Sequence, residues 1–170
     1  MDMSECGIPA YHKIDMHWYQ RPTKFIIRRL MTVGAVIYTG RGCPFTCSFC
    51  ASNSVWKAND LSTDMPLVRK RPMAQIMEEL RMLHDLYDFD FFYILDDTFG
   101  IKKDYISLFC NACRNSGLTM LWAAETRVNC ILNEQIVKLL KNSGCVQLDF
   151  GVESGSPKLL KNINKMTTIE

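Results

Sequence analysis

From residue 33 onward, short apolar runs alternate with segments whose apolar residues recur every three or four positions. Residues 33–39 are apolar and glycine-bearing, the pattern of a buried parallel strand. Pro72 then opens a helix that carries Met73, Ile76, Met77, Leu80, Leu83 and Leu86 on one face. Residues 91–95 form a second strand that ends in Asp96-Asp97. Asp104 is placed to cap a helix running to Asn115 and closing at Gly117. A third strand covers 118–124 and leads into Glu125-Thr126-Arg127. Asn133 caps a helix with Ile136, Val137, Leu139 and Leu140 that stops at Gly144. A fourth strand covers 146–152, and Ser156-Pro157 starts a last helix with Leu159, Leu160 and Ile163.

Strand and helix thus alternate four times, which predicts an α/β fold: a parallel sheet with outer helices joined by right-handed crossovers. Residues 1–32 lack this rhythm and mix His12, His17, Trp18 and Arg28-Arg29, as expected of an irregular linker arm ahead of a core at 33–170. Composition narrows the class. A chain of 170 residues, 48% apolar and 22% charged, suits one soluble domain. A net charge of +2 argues against nucleic acid or an anionic membrane surface as partner. No apolar run approaches the roughly 18 residues that a membrane span requires.

Each predicted strand ends in polar or metal-binding residues, where the active sites of βα-barrels lie. The first is followed by Cys43, Cys47 and Cys50, spaced Cys-x3-Cys-x2-Cys. Three thiolates so placed can hold an iron–sulfur cluster while leaving one iron open, whereas an electron-transfer cluster is normally closed by a fourth cysteine. A disulfide is disfavoured because the N-terminal residues lack the basic and apolar regions of a secretory signal, which implies a reducing, cytoplasmic setting. A non-catalytic iron–sulfur or zinc module is the alternative, and it needs a fourth ligand. Cys110 and Cys113 form a second Cys-x2-Cys pair, but on a helical apolar pattern that favours core packing over redox or cluster chemistry. Cys130 and Cys145 have the setting of core filler.

The run from Arg41 to Ser52, with Phe49 just before the last cysteine, resembles the signature of the radical S-adenosylmethionine (SAM) superfamily. Asp96-Asp97-Thr98-Phe99, Trp122 with Thr126-Arg127-Val128, and residues 151–156 resemble its cobalamin-binding branch of methyltransferases and anaerobic cyclases. The resemblance implies a partial radical SAM (βα) barrel. It implies that Cys43, Cys47 and Cys50 ligate a [4Fe–4S] cluster whose open iron chelates SAM. Reductive cleavage of SAM would then yield a 5′-deoxyadenosyl radical or serve methyl transfer. It also implies a small-molecule substrate and a reductant such as flavodoxin or ferredoxin.

By the same resemblance, Asp96 and Asp97 lie in the segment that meets the SAM amino group, with hydrogen bonding to loop amides as the other use of such a pair. Glu153 would reach the ribose hydroxyls or the ammonium, with Ser154 and Ser156 adding hydroxyls or, for Ser156, a helix cap. Arg127 would pair with the SAM carboxylate, or else with Glu125 or Asp97. Tyr38 and Phe49 would wall the cluster. Two departures are expected to matter. Asp15-Met16-His17 gives only half of the branch's Asp-x-His-x-x-Gly cobalamin motif, since Gln20 occupies the glycine position, so cobalamin use is left open. The family barrel usually has six βα units, and four are legible here, the pattern of a fragment with an open sheet edge.

Overall fold

The computed structural model describes residues 3–22, 32–52, 54–55, 68–131 and 133–169; the Arg28-Arg29 pair lies outside them. Six strands are present: β1 (Gly34–Ile37), β2 (Gly40–Arg41), β3 (Arg69–Lys70), β4 (Phe91–Phe99), β5 (Leu121–Thr126) and β6 (Cys145–Phe150). Among the described residues these helices accompany them: α1 (Met73–Tyr87), α2 (Lys103–Asn115), α3 (Glu134–Asn142) and α4 (Pro157–Asn162). The main sheet has the order β1-β4-β5-β6, parallel throughout, with Gly34 opposite Phe91 and Trp122 opposite Cys145. Among the described residues it is an open sheet, not a closed barrel. The predicted α/β partial barrel is therefore the observed architecture.

Alternation along the strands sorts side chains to two faces. Phe92, Ile94, Trp122 and Ala124 join Ile76, Leu80 and Leu83 of α1, Ile106 and Phe109 of α2, and Ile136 and Leu140 of α3 in one buried core. Helices α1, α2 and α3 therefore cover one face of the sheet. Phe109 meets Trp122 edge-on at 5.2 Å between ring centroids. Each fully buried side chain of this size contributes about 1.5–3 kcal/mol. On the other face Phe91, Tyr93 and Ala123 form a small separate cluster, and beyond it the strands turn polar.

Local signals set the boundaries. Asn133 caps α3 as expected, its side chain accepting from Gln135 N–H at 2.7 Å. Gly144 holds φ +92, and a Cβ there would come within 2.6 Å of the Met120 carbonyl, so the α3–β6 turn excludes other residues. Three expectations need correction. Lys102, not Asp104, is the N-cap of α2, and Asp104 sits in its first turn. Leu86 (68% exposed) and Val137 point to solvent, because the apolar stripe of each helix is narrower than its sequence suggests. Finally, the strand limits shift: β4 runs on to Phe99, where Phe99 pairs with Thr126 after a register shift, β5 covers Leu121–Thr126 rather than 118–124, and β6 stops at Phe150 rather than 152.

The N-terminal segment lies over α1 in three single 3-10 turns. Tyr11 donates to Glu79 at 2.6 Å, Gln20 donates to the Tyr87 carbonyl at 2.8 Å, and Met16 enters the main core. The half-motif Asp15-Met16-His17 caps one turn, with Asp15 accepting from His17 N–H.

All eight cysteines are free. Cys110, on α2, is fully buried; Cys113 and Cys145 pack against the same core. Burial pushes the thiols of Cys113 and Cys145 up to about 12 from an ordinary 9.0. Such thiols stay neutral in the fold but ionise once it opens. Their contribution to stability is full below pH 9 and is lost as pH rises towards 12. At pH 8, a thiol alkylating agent is therefore expected to modify exposed Cys50 first and to spare Cys113 and Cys145 until denaturant is added. Labelling of all three at one rate in the folded chain would contradict this packing.

Candidate functional site

The cysteine loop follows β1 and the two-residue strand β2. Gly40 of β2 approaches β3 so closely that a Cβ would lie 2.5 Å from the Arg69 carbonyl. Behind the loop stands Asp96, 3% exposed. Its carboxylate accepts from the N–H groups of Thr39 (2.7 Å) and Gly40 (3.0 Å) and from the Thr39 hydroxyl (2.5 Å). It also takes the Lys70 ammonium at 2.9 Å. These contacts tie the root of the loop to β3 and β4. Asp97, the next residue, faces the other way: it accepts from Gly42 N–H at 2.7 Å and from the Ser52 hydroxyl.

A cavity of about 360 Å³ opens at the C-terminal ends of the strands, within the usual range for small-molecule sites. Cys43, Cys47 and Cys50 all line it, with Asp97 and Thr98 of β4, Glu125 and Thr126 of β5, Arg127, Asp149 of β6 and Glu153. Cys43 Sγ lies 3.5 Å from Thr98 Oγ1, and Arg127 Nη1 donates to Cys47 Sγ at 3.5 Å. The Thr98 hydroxyl gives its own proton to the Asp97 carbonyl, so the donor beside sulfur is Arg127, whose positive charge suits a thiolate centre. A larger hollow of about 450 Å³, between α4 and residues 164–169, carries no cysteine or acid.

Of the predicted site residues, the structure brings the three cysteines, Asp97, Arg127 and Glu153 to one cavity. Asp96 lies outside its lining, bonded to loop amides. Ser154 also lies outside it, its hydroxyl accepting from Ser156 N–H at 3.0 Å. Ser156 is the N-cap of α4. Arg127, 5% exposed, pairs with neither Glu125 nor Asp97. Its guanidinium lies 3.8 Å over the Phe45 ring and donates to the Lys165 carbonyl and to Thr167 Oγ1 (3.1 Å). Phe49 lines the cavity but is 55% exposed. Tyr38 does not reach it; the Arg41 guanidinium covers its ring at 3.4 Å.

The sequence placed Glu125 at a strand end without giving it a role, and it missed Asp149 and Lys165. Glu125 and Asp149, at paired positions on β5 and β6, both accept from the Tyr93 hydroxyl, at 3.2 and 2.8 Å. Burial first, and then these acids, push the Tyr93 hydroxyl well above its ordinary value. The polar alternation of Gln147 and Asp149 in β6 was the available signal for Asp149. Lys165, buried and bonded to Glu153 at 2.8 Å, follows the last helix and had no periodic signal.

Three thiols lining one cavity are a donor set that iron–sulfur clusters use. A zinc ion would draw its thiolates to about 2.3 Å from one point, whereas a cubane attaches them to separate irons, farther apart. Among the described residues no three His, Cys, Asp or Glu side chains gather around one point. No described helix is long and apolar enough to cross a membrane.

Comparison with known proteins agrees with this geometry. The family model of the Radical SAM superfamily matches residues 37–170. An uncharacterized methyltransferase of Pyrococcus horikoshii is 32% identical over 98% of this chain, which covers 33% of that protein. The anaerobic magnesium-protoporphyrin IX monomethyl ester cyclase of Rubrivivax gelatinosus is 32% identical over 76% of this chain and 22% of its own length. This chain thus spans about a third or less of these relatives. Among solved structures, the radical SAM methyltransferase TsrM of Kitasatospora setae, solved with tryptophan and a SAM analogue, superposes with a TM-score of 0.67. It is 16% identical, over 90% of this chain and 27% of its own. The cobalamin-dependent radical enzyme OxsB, solved with aqua-cobalamin and SAM, gives a TM-score of 0.60 at 20% identity, over 79% of this chain and 20% of its own. The cysteine-lined cavity, the parallel half-barrel and the family match over residues 37–170 together establish that the chain belongs to the radical SAM superfamily.

Proposed function

We propose that residues 33–170 form the part of a radical SAM enzyme that binds a [4Fe–4S] cluster and SAM. The observation that carries this reading is the convergence of Cys43, Cys47 and Cys50 on one cavity with acids from three strand ends. Cys43, Cys47 and Cys50 would hold such a cluster, which would supply the one-electron reduction of SAM, for cleavage to methionine and a 5′-deoxyadenosyl radical or for methyl transfer. The chain's own residues bind and orient. The three thiolates hold three irons and leave the fourth for SAM. Glu153, with one oxygen held by Lys165, accepts from the ribose hydroxyls or the ammonium. Asp97 and Thr98 offer backbone groups to the amino end, while Asp96 and Ser154 hold the surrounding loops. Arg127 donates to Cys47 and sets positive charge beside it. A small-molecule substrate and a protein reductant complete the proposal. Cobalamin, present with OxsB, is proposed only for the longer protein that these relatives exemplify.

Anaerobic reconstitution tests this. The chain should take up about four irons and four sulfides, and the electron paramagnetic resonance spectrum of the reduced cluster should shift on adding SAM. A chain that takes up no cluster, or a cluster indifferent to SAM, would overturn the proposal.

A further inference from the structure

α4 ends in a Schellman turn: Asn164 N–H bonds the Lys161 carbonyl, and Lys165 N–H bonds the Leu160 carbonyl at 2.9 Å. The residue at the left-handed position is Asn164, φ +51, where glycine is the commonest choice. Met166 is left-handed too, φ +55. Two such residues in three hold a conformation that costs energy for side chains with a Cβ, so the surrounding contacts must enforce it.

Those contacts lead to the cysteine loop. The Asn164 amide donates to both the carbonyl (3.0 Å) and the hydroxyl (2.7 Å) of Thr46. Ser48 N–H donates to the Ile163 carbonyl at 2.9 Å. Thr46 and Ser48 flank Cys47, so both backbone neighbours of the middle cysteine are held by residues 163–164. The third hold is Arg127, whose Nη1 reaches Cys47 Sγ while its Nη2 binds the Lys165 carbonyl.

We propose that residues 163–167 are a clamp that positions Cys47 for cluster binding, with Asn164 as its positioning residue. The inference rests on the proposed cluster site. It explains why asparagine stands where glycine would serve the helix end better: the side chain links the two segments.

Asn164→Gly separates the two roles, because it keeps the left-handed turn and deletes only the amide. If Asn164 served α4 alone, the variant would be as stable as the parent or more so. If it is a clamp, two hydrogen bonds are lost from the loop. Backbone amides of residues 46–49 should then exchange with deuterium about fivefold faster in the cluster-free chain. Amides of Phe92, Tyr93 and Ile94 in central β4 should not change. After reconstitution, a chelator should strip iron from the variant several times faster. Asn164→Asp, which tolerates the same backbone but donates nothing to Thr46, should behave alike. Unchanged exchange at 46–49 together with unchanged iron loss would overturn the clamp. Failure of the parent chain to take up a cluster would overturn the proposed function instead, while exchange in the cluster-free chain would still decide the clamp.

Discussion

Cys47→Ala is expected to leave less than about one-tenth of the parent's iron after anaerobic reconstitution and desalting, because loss of an outer partner alone costs roughly 10–100-fold in metal affinity and Cys47 is a proposed direct ligand. Cys43→Ala and Cys50→Ala should act alike, since each leaves an iron with neither a protein thiolate nor the geometry to chelate SAM. Cys113→Ala is the matched control. It removes a sulfur packed against the helix core and should lower stability without changing iron content. Iron and sulfide assays would report all four variants. A Cys47→Ala chain that holds the same cluster as the parent would remove the basis for the three-thiolate site.

The second large effect concerns folding. Asp96→Ala deletes the acceptor for two backbone N–H groups, one hydroxyl and the Lys70 ammonium, all at the root of the loop. Lys70 is only 16% exposed at its side chain, so the orphaned charge is poorly solvated. Removing one partner of a buried pair typically costs about 3–5 kcal/mol, a large share of the roughly 5–15 kcal/mol that stabilises a domain. For a chain of this size the melting temperature should fall by about 10 °C or more. Asp96→Asn, which keeps an acceptor but loses the charge, should fall in between. A melting curve of Asp96→Ala that overlays the parent's would show that the root of the loop is held by other contacts.

The order of strands and helices was legible because each element carries its own period, and the stops at Gly117 and Gly144 are local backbone requirements. The gathering of Cys43, Cys47 and Cys50 at one cavity was legible because the three lie within eight residues of one another. The β2–β3 pair was not, because two-residue strands have no period and Gly40 finds Lys70 far along the chain. The two aspartates showed where the site lies but not their separate uses, which depend on whether each points to the loop root or to the cavity. Lys165 was invisible for a related reason. It enters the cavity through a helix-end turn, and its only sequence signature is an asparagine where glycine is usual.

The two aspartates of β4 also bear on what length changes this chain can absorb. Asp96 and Asp97 do different work only because consecutive strand residues face opposite ways. Deleting or inserting one residue at Leu95, just ahead of the pair, would exchange their directions, placing the buried anchor in the cavity and the cavity acid under the loop. After Asp97 the same change leaves both directions as they are, in a strand whose register with β5 already shifts between Ile94 and Phe99. Length changes in β4 should therefore be far more damaging ahead of Asp96 than behind Asp97.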